Sequence, residues 1–263
     1  VIGGGVIGLE LATIYNRLGS RVTVVELLPE ILSIVDLDRR TIAILKRSLK
    51  RQGIDLRTGT KARSIETGSH GTTVQIEDGE PIAADRVLLA VGRQPNARGV
   101  GLESVGIEPD NRGFLSVNEM LQTSVDGIYA IGDIVPGPML AHKASAEAVA
   151  LADAFAGEKR IAIDHDRIPQ AIFTDPEIAS VGLSKARAKE QGHDVIVGRF
   201  PYSALGKALG MREPDGSFQV VADAEDRRLL GVQIVGAEAS DLISEAAVAL
   251  HRNLDVTDIA DAI

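Results

Sequence analysis

Apolar positions along the chain change their period several times, and each change marks an element. Val6, Ile7, Leu9, Leu11, Ala12 and Ile14 recur at helical spacing, and Gly19 follows as the stop. Arg21-Val-Thr-Val-Val-Glu26 then reads as an apolar strand ending on an acid. Asp36 and Asp38 favour the start of a second helix, on which Ile42, Leu45 and Leu49 share a face and which Gly53 stops. Lys46, Arg47, Lys50 and Arg51 in its last turns read as a solvated, dipole-complementing face rather than a binding patch. Residues 54–57 predict a short third strand. Residues 61–66 and 72–77 alternate apolar and polar around a loop with His70 at its tip, the pattern of a hairpin in a β-meander. The run Arg86-Val-Leu-Leu-Ala-Val91 is almost wholly apolar, which predicts a strand buried on both faces of a parallel sheet.

Beyond residue 96 the texture changes. Residues 97–127 are rich in Gly, Pro, Asn and Asp and read as a crossing between domains. Another short strand is expected over 127–133, ending in Gly132-Asp133. A helix then opens near Met139, with Ala144, Ala148, Val149, Leu151 and Ala152 small enough for packing against another helix or a planar group. From Ile168 the pattern is α+β: strands at 170–173, 178–182, 194–200, 217–223 and 229–235, a helix over 183–191 between Ser184 and Gly192, and a helix over 238–254. The fold class expected is α/β followed from Ile168 by an α+β layer.

With 263 residues, 44% of them hydrophobic and 25% charged, the chain has enough material for roughly two globular domains. Its net charge of −9 and lack of a Lys/Arg-rich run argue against nucleic acid or an anionic membrane as partner. No apolar stretch approaches the ~18 residues of a membrane span. There is no signal-peptide pattern and no cysteine, so a cytoplasmic setting is the expectation. The first residues fall inside a strand and no initiator Met precedes them, which points to a piece of a longer protein.

Candidate chemistry concentrates at the start. Gly3, Gly5 and Gly8 have the G-x-G-x-x-G spacing, a helix follows, and the second strand ends on Glu26, 18 positions after Gly8. One glycine makes the tight turn, the second lets a pyrophosphate reach the backbone and the third lets helix pack on strand. The phosphates then meet unpaired amides at the positive end of the helix dipole. Glu26 can accept from both hydroxyls of an adenosine ribose and would repel a 2′-phosphate. Leu27 and Leu28 follow it with no Arg nearby, so NAD is favoured over NADP. Gly92 closes an apolar strand and is expected beside the dinucleotide, although Gly92-Arg-Gln-Pro-Asn96 also fits a plain turn. Asp133 could bind a sugar or sugar-alcohol chain, or simply end a turn. His142 invites a catalytic reading. His165, His193 and His251 have no carboxylate or His at ligand spacing in sequence, so no metal is assigned.

Five stretches occur in a telling order: Gly3-Gly-Gly-Val-Ile-Gly-Leu-Glu10, Val91-Gly-Arg-Gln-Pro-Asn96, Gly127-Ile-Tyr-Ala-Ile-Gly-Asp133, Met139-Leu-Ala-His-Lys-Ala144 and Phe173-Thr-Asp-Pro-Glu-Ile-Ala-Ser-Val-Gly182. Together they resemble the pyridine-nucleotide disulfide oxidoreductases, and within that family its lipoyl-oxidising members. The resemblance covers essentially the whole chain. It implies a Rossmann-like NAD-binding domain with an inserted β-meander over 1–96. A returning segment of an FAD-binding domain would span 97–164, and an α+β dimerisation domain 165–263.

The resemblance also implies roles. Gly3, Gly4, Gly5, Val6, Ile7 and Gly8 would cradle NAD, with Glu10 near the nicotinamide and flavin. Glu26 would hold the ribose, Ala62 would touch the adenine side through its backbone, and Gly92 would contact the dinucleotide. Asp133 would bind the ribityl-phosphate part of FAD, with Met139, Leu140, Ala141 and His142 at the flavin edge. His142 is then a packing or flavin-contact residue. The family's redox cysteines and its His-Glu acid/base pair have no counterpart in this sequence, so no catalytic residue is assigned. Thiol exchange needs a thiolate that the chain does not supply.

The reaction implied is oxidation of protein-bound dihydrolipoamide with FAD and NAD, by a homodimer serving 2-oxo acid dehydrogenase or glycine-cleavage complexes. Two other readings stand beside it. One is a different flavin disulfide reductase (acting on glutathione disulfide or mercuric ion) or an NADH oxidase; the other is a non-redox NAD-binding or interaction module.

Overall fold

The computed structural model describes residues 1–68, 71–158 and 163–262. They form two compact units. One joins Val1–Gly92 to the segment from Pro169 onward; the other is Arg93–Ile168.

In the first unit, Ile2 bridges in parallel to Val25 on one side and Leu89 on the other. The Ile2 N–H donates to Leu88 O and the Ala90 N–H to Ile2 O, both at 2.8 Å. Next come α1 (Val6–Arg17), β1 (Thr23–Val25), α2 (Arg39–Arg51) and β2 (Asp55–Arg57), with β2 parallel to β1. The parallel order is thus the Leu89 segment, the Ile2 segment, β1, β2; α1 and α2 make the crossovers to β1 and β2, and the antiparallel meander makes the connection from β2 to the Leu89 segment. Asp38 caps α2 as its position suggested, its carboxylate accepting from the Arg40 N–H at 2.9 Å. The meander is present: β3 (Ala62–Gly68), β4 (Gly71–Ile76) and β5 (Ile82–Ala84) pair antiparallel. His70 lies outside the described residues.

The 86–91 strand departs from expectation. It pairs with Ile2, but Leu89 is 61% and Val91 75% exposed, so its side chains are not enclosed on both faces as a continuous apolar run suggests.

The second unit is mostly irregular around a small core of Ala97, Ile107, Leu115, Ala130 and Val135. The strand expected over 127–133 shrinks to one bridge, Gln122 to Tyr129. Its end is lost because Gly132, at φ +81°, turns the backbone into a single 3-10 turn, Gly132–Ile134. The helix α3 (Ala141–Phe155) follows.

From Pro169 the first unit resumes with β6 (Gln170–Ile172), β7 (Ile178–Gly182), α4 (Lys185–Glu190), β8 (Val195–Pro201), α5 (Gly206–Met211), β9 (Ser217–Asp223), β10 (Leu229–Val235), α6 (Ala239–His251) and α7 (Val256–Asp261). The five strands form one antiparallel sheet in the order β6-β7-β10-β9-β8, with every residue of β10 buried. Ser184 caps α4 by accepting from the Arg187 N–H at 3.1 Å, as expected. The helix expected over 238–254 is α6, and a further short helix, α7, follows it beyond that range. Asn253 adopts φ +53° and Asp255 starts α7 with a capping box. Leu205 is the N-cap of the short α5, for which the sequence reading assigned no helix.

Sequence patterning treated these halves as separate layers, yet they share a core. Leu9, Ile31, Leu45 and Leu49 cluster with Ile172, Ile178 and Val235. Gln233, 3% exposed, bolts them together: its Oε1 accepts from the Asp38 N–H at 2.8 Å and its Nε2 donates to Asp36 O at 3.0 Å. A buried amide is tolerated there because both of its ends are satisfied.

Candidate functional site: a glycine turn closed by an acid

The three fingerprint glycines face different surroundings. Gly3 sits at φ +112°, and a Cβ there would fall 2.2 Å from Ala90 O, so only glycine lets the turn lie on the neighbouring strand. A Cβ on Gly8 would fall 2.0 Å from Gly3 O, which is how closely α1 packs on the turn. Gly5 differs, with nothing within 4 Å of its Cβ position. It is the N-cap of α1, with no side chain capping the helix. An α-helix leaves its first-turn amides without intrahelical partners, so Gly5, Val6 and Ile7 form a cradle with room for an anionic group.

Glu26, one residue beyond β1, lies across this turn. Its Oε2 accepts from the Gly4 N–H at 2.5 Å and its Oε1 from the Leu28 N–H at 2.7 Å. A Cβ on Gly4 would come 3.0 Å from Glu26 Cβ, so a larger residue there would push the acid back by a few tenths of an ångström. A carboxylate offers about four acceptor positions, and two remain for a diol. Ala62 begins β3 just after Thr60, whose N–H donates to Glu26 O at 2.9 Å. Gly92, at φ +128° with no neighbour within 4 Å of its Cβ position, follows the strand that carries Ala90. The structure therefore brings Gly3, Gly4, Gly5, Val6, Ile7, Gly8 and Glu26 to one end of the parallel sheet, while Ala62 pairs with Ile76 in the meander. Glu10 Oε1 accepts from the Phe173 N–H at 2.9 Å, tying α1 to the loop between β6 and β7.

The second unit gathers the other group. Asp133 forms an ion pair with Arg93, whose Nη1 also donates to Met139 O at 3.2 Å. Leu140 is the N-cap of α3, and Ala141 and the exposed His142 open it. Sequence reasoning missed what lies beneath Asp133. Lys143 and Glu147 are the buried residues of α3 and pair at 3.0 Å, while Ala148, Val149 and Ala152 are exposed. The available signal was an i, i+4 Lys/Glu pair on an otherwise alanine-rich helix. The histidines also gain partners that spacing did not suggest. His165 Nε2 lies 3.9 Å from Glu147, and His193 Nδ1 lies 2.9 Å from Asp223. Hydrogen bonds from the Glu225 amide and from His193 hold the Asp223 carboxyl below its usual range. Among the described residues no group of three or more His, Cys, Asp or Glu could hold a metal, and no helix is long and apolar enough to cross a membrane.

Comparison with known proteins gives this geometry a family context. Residues 1–148 match the profile of the pyridine nucleotide-disulphide oxidoreductases, and residues 168–263 match that family's dimerisation domain. The chain is 45% identical to the dihydrolipoyl dehydrogenase of Thermus scotoductus, covering 98% of this chain and 56% of that protein. It is also 45% identical to that of Geobacillus stearothermophilus, covering 99% and 55%. The fold superimposes on the crystal structure of LpdA from Mycobacterium tuberculosis with a TM-score of 0.93 at 27% identity, over 100% of this chain and 57% of that one. The chain thus spans about half the length of the curated relatives it matches.

Proposed function

The chain belongs to the pyridine nucleotide-disulphide oxidoreductases, and from that premise we propose that the protein carrying it oxidises dihydrolipoamide, giving lipoamide while NAD⁺ becomes NADH and a proton is released. The observation that carries the reading is Glu26 accepting the Gly4 N–H across the glycine turn. An acid fixed there accepts from ribose hydroxyls and repels a 2′-phosphate, which selects NAD. Gly5 and the first-turn amides of α1 bind the pyrophosphate, and Gly3 and Gly8 keep helix, turn and strand close enough to form the cradle. Ala62 and Gly92 border the dinucleotide, and Glu10, through the Phe173 amide, orients α1.

In the second unit, Asp133 and residues 139–142 hold the ribityl side and edge of FAD. The flavin, when bound, supplies the redox chemistry between dithiol and nicotinamide; the protein's part is binding, orientation and exclusion of water. Residues 1–96 serve NAD, 97–164 FAD, and 165–263 pairing with a second copy. Lipoyl-bearing proteins of 2-oxo acid dehydrogenase or glycine-cleavage complexes are the partners, in the cytoplasm.

The test is turnover by the full-length protein. Reduction of NAD⁺ by dihydrolipoamide supports the reading. No such turnover, with activity instead on NADPH plus glutathione disulfide or mercuric ion, rejects it in favour of another flavin disulfide reductase.

A further inference from the structure

The helix α3 inverts the usual logic of burial. Its alanines face outward or lie half-buried, while Lys143 and Glu147 have side chains 0% and 2% exposed. The pair does not exist for the helix: Lys precedes Glu, the weaker of the two i, i+4 orientations. Nor does burial of an ion pair favour stability, since well-packed apolar replacements often match or exceed it. What the pair does hold is one residue. Lys143 Nζ donates to Gly132 O at 2.9 Å, and Glu147 Oε2 accepts from the Gly132 N–H at 2.7 Å. Both peptide groups of Gly132 are thus gripped from below, at a residue whose φ of +81° leaves the backbone otherwise free to rotate. The residue immediately after is Asp133.

We propose that Lys143 and Glu147 are positioning residues that fix the Gly132 backbone so that the Asp133 carboxylate is presented to the flavin's ribityl chain. This rests on the reading of Asp133 as a flavin ligand. A side chain placed about 1 Å off its productive position loses affinity out of proportion to the shift, and here the support is a backbone clamp rather than a direct contact.

The test is a cycle on the full-length protein, reading the FAD dissociation constant of the apoprotein by flavin fluorescence and the apoprotein's thermal midpoint. The apolar pair Lys143→Met/Glu147→Leu strips the Gly132 N–H and C=O of their partners, so it is expected to lower the midpoint while the apoprotein still folds, and to weaken FAD about tenfold or more. On an Asp133→Ala background the same pair change should alter FAD affinity less than about threefold, because the carboxylate it orients is gone. Wild-type affinity in a folded apolar-pair variant, or an equal loss on both backgrounds, overturns the proposal. If Asp133→Ala itself leaves FAD affinity unchanged, the reading of Asp133 fails and the proposal falls with it. If Asp133→Ala weakens FAD but the pair change does not, only the proposal falls. Should the apolar pair not fold, Glu147→Asp serves in its place, keeping the charge beside Lys143 while drawing the acceptor away from the Gly132 N–H; the same outcomes decide.

Discussion

Gly5 and Gly8 carry the same residue three positions apart, and the structure assigns them opposite roles. In Gly8→Ala the new methyl carbon would lie 2.0 Å from Gly3 O and 3.5 Å from Ala90 Cβ. The obstacle is main chain, so α1 must retreat from the turn by about 1 Å, an overpacking strain of about 1–3 kcal/mol. Gly5→Ala meets nothing within 4 Å, and its φ of −80° and ψ of −172° suit any L residue. Alanine caps a helix somewhat less well than glycine, and it costs the unfolded chain about 0.4–1 kcal/mol of freedom; the two offset to within about 0.5 kcal/mol. The methyl does occupy the space above the first-turn amides, where a pyrophosphate would lie. NADH affinity should fall about 10–100-fold, or about 1.4–2.7 kcal/mol. Thermal unfolding and an NADH fluorescence titration of both full-length variants measure the two quantities. The account expects Gly8→Ala to melt early, and Gly5→Ala to melt like the wild type but bind NADH poorly. A Gly5→Ala protein that binds NADH normally refutes the division of labour.

Tyr202, buried beside Glu177 and Glu238, has its phenol pushed up to about 12 by burial first and then by those two charges. A folded pKa above the unfolded one gives stability that is complete below pH ~10 and lost as the pH rises toward ~12; Tyr202→Phe should remove that alkaline limb in pH-dependent melting. The Asp223 carboxyl is held low by the Glu225 amide and then by His193. Its contribution is present above pH ~4 and lost below, so the stability gap between wild type and Asp223→Asn should narrow as the pH falls from 6 toward 3. Glu147→Leu alone strands the Lys143 ammonium in the interior and should cost about 3–5 kcal/mol in denaturant melts, whereas the Lys143→Met/Glu147→Leu pair should recover only part of it, because the Gly132 N–H and C=O still lack their partners.

Local chemistry made the glycine turn legible: three glycines, a helix period and an acid after the next strand anticipate the turn, α1, β1 and the approach of Glu26. The meander and the sheet of the second half were likewise readable, the ranges expected at 61–66, 72–77, 194–200 and 217–223 lying close to β3, β4, β8 and β9. What escaped were features set by tertiary context. Gly132 looks like a strand end in sequence but bends the chain through a positive φ. The run at 86–91 is apolar enough for a central strand, yet Leu89 and Val91 are exposed. The shared core and the Gln233 bolt join segments nearly 200 positions apart, Gln233 reaching Asp38 across 195 residues, and no periodicity reports such a contact. Lys143 and Glu147 drew no reading from the sequence, where the alanines of the helix stood out; only the structure shows this pair to be the buried side of α3.

The claim on which the functional account leans hardest is that Glu26 chooses the coenzyme. Parallel titrations of the full-length protein with NADH and NADPH at one ionic strength test it directly. The account predicts NADH bound at least about tenfold more tightly, with the preference shrinking in Glu26→Gln as the repelling charge is removed. Equal affinity for the two coenzymes, or tighter binding of NADPH by the unaltered protein, would contradict it.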